Sequence, residues 1–477
     1  MFLTACAPNL GAAPELREIA SLAPADDFAA AGEPSGAWPA QQWWRAYNDP
    51  QLDALIEEAL ADAPDMAAAA ARLRRAQAAA QIAGAARRPS LSADAEVASV
   101  RQSLNTGFPD EFKSVLPQGW NSEASASLRL EQDIDLFGRT RAAVSAARYD
   151  AEAAAANAAA ARLTLSTQIA LAYADLARLT ADRTALEDVL QIRTQSADLV
   201  RRRHEAGLEN DGGLSQAQSE VSAAQASLLA VEAEQAQARN RIAALLGKGP
   251  DRALAIEAPA EIAITPAAVP QNLSADLVGR RADIVMSRMA AEAAAARVRV
   301  ARADYYPNIN LTAVVGLQSL GLDTFAEGDS RYGSIGPAVH LPLFASGQLN
   351  GSYRAARAGY DESVAIYNAT LANALRDVSD ALIAKRALDA QLVQMRQAYA
   401  DAENAHRVAR ARYEGGLSTY IDALAVENSL VQRRRALADL EAQTFSVDVA
   451  LVRALGGGFN IENTDQTETS RSALDGR

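Results

Sequence analysis

The sequence predicts a mainly α protein with membrane β. Internally duplicated long coiled-coil helices form an α-barrel, and four strands per chain contribute to a β-barrel closed by several copies. Three observations predict it. The 477 residues are rich in alanine, and their apolar positions recur every three and four residues. The second half repeats the first with a period of about 210 residues. Within each half, one stretch drops to a period of two.

Charged residues make up 22% of the chain and aromatics only 5%, the mixture expected of closely packed helices. The net charge of −13 argues against nucleic acid as a partner, because phosphate binding needs clustered Lys and Arg. That charge suits an acidic channel interior and equally suits simple solubility.

Cys6 is the one cysteine, so no disulfide framework exists. Leu3-Thr4-Ala5-Cys6 looks like a bacterial lipoprotein signal, cut before a cysteine whose thiol is then lipidated. Residues 1–5 read as the remnant of a signal peptide and 6–40 as a lipid-anchored N-terminal segment. No run of about 18 apolar residues occurs, so a membrane crossing would have to be made by strands.

The repeat recurs in four places, in the same order. Ala63-Pro64-Asp65-Met66 to Arg87-Arg88-Pro89 corresponds to Arg281-Ala282-Asp283-Ile284 to Tyr305-Tyr306-Pro307. Asp135-Leu136-Phe137-Gly138 corresponds to Pro342-Leu343-Phe344-Ala345. Arg203-His204-Glu205-Ala206-Gly207-Leu208 corresponds to Arg412-Tyr413-Glu414-Gly415-Gly416-Leu417, and Ala244-Leu245-Leu246-Gly247 to Ala454-Leu455-Gly456. The first repeat is placed at 41–248, with strands at about 89–137 and long helices at about 139–246. A linker or equatorial segment follows at 249–276. The second repeat is placed at 277–456, with strands at about 307–344 and helices at about 347–455, and a disordered tail at 457–477.

Helices are expected over 139–206 and 347–414, with shorter returning helices over 214–246 and 419–455. Neither long run contains proline, and each could reach roughly 100 Å. Leu165, Ile169, Ala172, Leu176, Leu179, Leu186 and Leu190 form a heptad-like seam interrupted by Arg183, with Leu163, Ala170, Tyr173 and Ala177 beside it. Leu437, Leu440, Thr444, Val447, Leu451 and Ala454 keep the same spacing on the last helix.

Between the first and second blocks, apolar and polar residues alternate. Leu128, Leu130, Ile134 and Leu136 form one row, and Ile309, Leu311, Ala313, Val315 and Leu317 a second. Val339, Leu341 and Leu343 form a third, with Leu91, Ala93, Ala95 and Val97 a weaker fourth. Residues 103–120 and 321–331 read as exposed loops. Four strands leave two open edges that hydrocarbon does not tolerate, so other copies must close the barrel. Two copies would give eight strands, usually filled by side chains; three give twelve and an open lumen.

These residues resemble the outer-membrane efflux protein family (TolC-like), in its lipoprotein OprM/NodT-like branch, over roughly residues 38–458. Trp43-Trp44, Asp49-Pro50-Gln51-Leu52 and Leu55-Ile56 match the opening of the mature domain. Arg280-Arg281-Ala282-Asp283-Ile284 is similar to the family's Arg-Arg-Pro-Asp-Ile, with Ala282 replacing proline. Arg412 to Leu417 with Asp422-Ala423-Leu424 matches the family's periplasmic hairpin tip. The resemblance implies a homotrimer with a 12-stranded barrel and a passive exit duct for small molecules. Its implied partners are outer-membrane lipid, a periplasmic adaptor and an inner-membrane pump of the RND or another type.

It also implies Tyr413 and Asp422 as gate candidates at a tip formed with Gly416, Leu417, Gly207, Leu208, Asp211 and Gly213. Three copies of Asp422 around an axis would form an acidic ring. The same aspartate could simply begin the returning helix. Ser418 stands where some relatives carry an arginine partner for it.

No nucleotide-cradling loop or Gly-x-Ser-x-Gly turn occurs. His204, His340 and His406 are scattered and read as isolated surface or barrel residues, while Met286 and Met289, one turn apart, read as packing. No enzyme activity, metal or cofactor is expected beyond a lipid on Cys6. The competing readings are a type I protein-secretion exit channel and a non-conducting periplasmic coiled-coil scaffold.

Overall fold

The computed structural model describes residues 10–18, 37–105, 107, 109–259, 273–342 and 345–460. Cys6, Leu343, Phe344 and most of the C-terminal tail lie outside them. Among these residues the duplication is visible as matched lengths. Helices α1 (Pro50–Asp62) and α2 (Pro64–Ala85) lead into β1 (Ser90–Val100) and β2 (Asn121–Asp133), followed by α3 (Arg139–Glu205) and α4 (Asp211–Leu245). After the short α5 (Pro250–Ala253) and α6 (Leu273–Arg280), the second half runs α7 (Ala282–Ala303), β3 (Asn308–Leu320), β4 (Arg331–His340), α8 (Ser346–Glu414) and α9 (Tyr420–Ala454). α2 and α7 have 22 residues each, α3 and α8 have 67 and 69, and α4 and α9 have 35 each. All four long helices therefore start and stop within a few residues of the expected positions.

The chain divides into two compact units, each described by itself. The first holds the described residues of Met1–Leu16 with Leu73–Ala154 and Ser287–Tyr367; the second holds the remainder.

The first unit carries an antiparallel sheet in the order β1-β2-β3-β4. Its register pairs Leu91 with Leu130, Leu130 with Ala313 and Ala313 with Ile335. Directly opposed residues share a face, so all four apolar rows lie on one side. Ser92, Asp94, Arg129, Glu131, Asn310 and Thr312 lie on the other. Among the described residues nothing covers the apolar side: Leu91 is 68% exposed, Val315 61% and Ile335 78%. β1 and β4 each have one neighbour only, so both outer edges are unpaired.

Two strand expectations need correction. β2 ends at Asp133, leaving Ile134 and Leu136 beyond it. Asp135 instead accepts the backbone N–H groups of Thr140 and Arg141 at 3.2 and 2.8 Å, and so begins α3. β4 starts at Arg331, inside the expected loop, and ends before Leu341. Its Gly333 and Pro337 dilute the apolar row, and pairing with β3 fixes the strand where side-chain alternation does not. The two expected loops hold short 3-10 turns at Asp110–Val115 and Gly328–Ser330.

In the second unit, Leu165, Ile169, Tyr173 and Leu176 of α3 pack with Trp43, Trp44 and Tyr47 and with Leu52, Leu55 and Ile56 of α1. Asp49 caps α1 by accepting from the Gln51 and Leu52 N–H groups. The Tyr47 hydroxyl donates to buried Asp448 of α9 at 2.8 Å. The expected α9 seam holds at its C-terminal end, where Leu451 and Ala454 are buried; before that, Leu437, Leu440, Thr444 and Val447 are half-buried, whereas Phe445, Asp448, Val449 and Val452 are buried. That face is the one turned to Tyr47, whose ring meets Phe445 edge-on at 4.6 Å. At the α6–α7 junction, buried Arg281 ion-pairs with Asp283 and Asp377 and donates to the carbonyl of Ala454. α7 starts at Ala282 without the family's proline. Gly457 and Gly458, expected in the tail, belong to the turn after α9.

Candidate functional site

Two helical turns in the second unit carry all the expected tip residues. Gly207 and Gly416 have φ of 69° and 72°, the left-handed geometry that favours glycine. In each turn the glycine N–H donates back to His204 or Tyr413, and the following Leu208 or Leu417 N–H donates to Arg203 or Arg412 at 2.8 Å. These paired bonds close both long helices identically. Leu208 and Leu417 then project outward, 67% and 73% exposed.

The returning helices start with matched caps. Asn210 accepts from the Gly213 N–H at 2.8 Å, and Thr419 accepts from the Asp422 N–H at 3.2 Å. Gly213 and Asp422 are thus true counterparts, as the repeat implies. Asp422 also accepts from the Thr419 backbone and hydroxyl at 3.0 and 2.7 Å. Those Thr419 bonds hold its carboxyl below the usual aspartate range. Asp422 therefore caps α9 while remaining exposed; Asp211 is exposed too and meets His204 at 2.7 Å.

Tyr413 is buried and joins the two turns. Its hydroxyl donates to Glu209 at 3.2 Å, its carbonyl accepts from Arg203 at 3.2 Å, and the Arg203 guanidinium lies 4.7 Å from its ring centre. Burial, reinforced by the Glu209 charge, pushes its phenol up to about 12. Val200, Ala217, Tyr420, Ala423 and Leu424 complete the apolar packing around it.

Farther from the turns lies a buried ionic cluster absent from the expectations. Arg193 of α3 and Glu427 of α9 approach to 2.8 Å with side chains only 5% and 4% exposed. The two facing atoms, Arg193 Nη1 and Glu427 Oε1, meet off the hydrogen-bonding axis. Ser196 donates to the other Glu427 oxygen at 2.7 Å, and His406 of α8 lies 3.8 Å from it. Arg193 also reaches Glu220 of α4 at 3.6 Å and donates to Asn428. One carboxylate thereby links α3, α8 and α9, and one guanidinium adds α4. Burial alone would raise the Glu427 pKa; the His406, Ser196 and Arg193 contacts outweigh it and hold the group below its ordinary value.

His204 stays at the surface beside exposed Asp211, whereas His406, with a side chain only 15% exposed, faces Glu427 and belongs to the cluster. A spacing of more than 200 residues between Arg193 and Glu427 leaves no local signal. Met286 and Met289 are half-buried on α7. Among the described residues, no group of three or more His, Cys, Asp or Glu side chains is arranged to hold a metal.

The family model described as outer membrane efflux protein matches residues 55–248 and 273–457, the two repeats in turn. The fusaric acid resistance protein FusA of Burkholderia cepacia is 34% identical over 334 residues, 69% of this chain and 62% of that protein, less than two thirds of its length. The multidrug resistance outer membrane protein MdtP of Escherichia coli strain CFT073 is 29% identical over 89% of this chain and 88% of its own. The crystal structure of the outer membrane protein VceC of Vibrio cholerae superposes with a TM-score of 0.84 at 42% identity, covering 89% of this chain and all of that one.

Proposed function

The chain belongs to the outer membrane efflux protein family, and from that premise we propose how its two units divide the work of an exit duct. It is the outer-membrane channel of an efflux system, a role it shares with its homologues. Three copies join edge to edge, β4 of one against β1 of the next, and make a 12-stranded barrel. A lipid on Cys6 adds an anchor to the same membrane.

The single observation that carries this reading is the register-aligned apolar face of the sheet, exposed on Leu91, Leu128, Val315, Ile335 and Val339. In water such a face is unstable, whereas hydrocarbon covers it. The polar face lines the lumen. The paired turns with Leu208 and Leu417 meet a periplasmic adaptor, and an inner-membrane pump of the RND or another class supplies the energy. Tyr413, Glu209 and Arg203 hold the tip together, with Asp422 contributing charge near the axis. The exported compounds are small molecules, as the names of the drug-resistance relatives suggest.

Single-channel recording of purified full-length protein in a planar bilayer tests the proposal. Stepwise current from crosslinkable trimers is expected. A protein that inserts without passing current would instead be a scaffold.

A further inference from the structure

Where the sheet of the first unit hands over to its helices, a groove of about 520 Å³ opens between the start of α3 and the end of α7. Phe137 and Tyr306 stand at one end, stacked at 4.8 Å and each more than 40% exposed. Phe137 lies a few residues beyond the end of β2, and Tyr306 just before β3. Ile134 and Leu136 are exposed beside them. Arg141, Arg299 and Arg302 line the rest, and among the described residues no carboxylate lines it.

The nearby acids are already engaged. Asp135 pairs with Arg141 at 3.3 Å, Asp304 with Arg139 at 2.7 Å, and Asp150 with Arg297. Arg299 and Arg302 are exposed, one turn apart on α7, and have no ion-pair or hydrogen-bond partner among the described residues.

We propose that this groove binds an anionic glycerophospholipid of the membrane's periplasmic leaflet, its phosphate on Arg299 and Arg302 and its glycerol and upper acyl carbons against Phe137 and Tyr306. The inference rests on the sheet lying in the bilayer. Exposed aromatics at strand ends occupy the membrane–water boundary. Guanidiniums about one helical turn farther from the hydrocarbon are at the depth of lipid phosphates. Cationic side chains hold phosphate through charge-assisted hydrogen bonds, and basic pockets beside a membrane segment select anionic headgroups. A lipid fits better than a free anion because half of the groove wall is apolar.

Native mass spectrometry of purified full-length protein, delipidated and then titrated with phosphatidylglycerol or phosphatidylcholine, tests this. The wild type is expected to retain phosphatidylglycerol in preference, and glycerophosphate alone should not displace it. R299Q/R302Q should weaken phosphatidylglycerol binding about tenfold or more, while R299K/R302K keeps most of it. Equal retention of the two lipids, an unaffected glutamine variant, or equal loss in both variants would overturn the proposal. So would a glutamine variant that fails to trimerise with lipid preference unchanged, which would make the groove a contact between copies. Failure of the underlying membrane reading looks different, because the protein would then bind neither lipid and stay soluble without detergent.

Discussion

Glu427 lies 2.8 Å from Arg193, and both side chains are almost fully withdrawn from solvent. Removing one member strands the other charge in the interior, a change that costs about 3–5 kcal/mol for buried pairs. Glu427→Ala should therefore lower the thermal midpoint measured by circular dichroism in detergent. Combining Arg193→Met with Glu427→Leu should recover much of the loss, since no unpaired charge remains.

The same carboxylate makes stability depend on acid. Its pKa in the folded chain is depressed below the reference value of 4.5, with Arg193, His406 and Tyr420 facing it and Glu220 on the far side of Arg193. A depressed acid contributes fully above its unfolded pKa and loses that contribution as the pH falls through its folded value. Denaturation midpoints should drop for the wild type as pH descends below about 4.5. Glu427→Gln should flatten that part of the profile.

Tyr413→Phe deletes the hydroxyl bond to Glu209 and keeps the ring against Arg203. Bilayer recordings should show more frequent or larger openings than the wild type, with helix content unchanged. Asp422→Asn retains an acceptor for the Thr419 cap but removes the charge, and should reduce cation preference without loosening α9. If only Asp422→Ala altered conduction, the residue would act as a cap and not as a gate charge.

Leu128 and Ser127 are neighbours on opposite faces of β2, paired with Val315 and Gly316. Leu128→Arg places a charge in hydrocarbon, at about 2–4 kcal/mol near the bilayer midplane. The yield of heat-resistant trimer from outer membranes should fall sharply. Ser127→Arg should be tolerated.

Gly416 and Gly456 share left-handed backbone angles but differ in surroundings. A Cβ on Gly416 meets nothing within 4 Å, so Gly416→Ala should lose only the conformational term, about 1–2 kcal/mol. A Cβ on Gly456 would stand 1.9 Å from the Arg280 carbonyl oxygen. Gly456→Ala should be much the more damaging in urea titrations, because backbone there has to move.

The long helices and turns were legible because duplication and the lack of proline are local, countable signals. Gly207, Gly416 and the caps at Asn210 and Thr419 follow from residue types whose backbone preferences are strong. β4 was half hidden, since Gly333, Gly336 and Pro337 carry no alternation and only pairing with β3 identifies them as strand. The Arg193–Glu427 cluster was invisible for a different reason: its members come from four helices, and each alone looks like an ordinary polar residue on a long α-helix. The middle of the α9 seam, at Thr444 and Val447, gives way to Phe445 and Asp448 because these are the residues that meet Tyr47, far upstream, whereas Leu451 and Ala454 are buried as expected.

The unpaired edges on β1 and β4 carry a genetic consequence. If copies join through these edges as proposed, one that reaches the membrane cannot stay solitary, and it accepts whichever sister chain arrives first, sound or damaged. In a cell expressing both kinds, a lesion confined to the tip would pass quality control at the rim and be built into mixed assemblies. A fault in one gene copy would then behave as dominant, spoiling ducts made largely from healthy subunits.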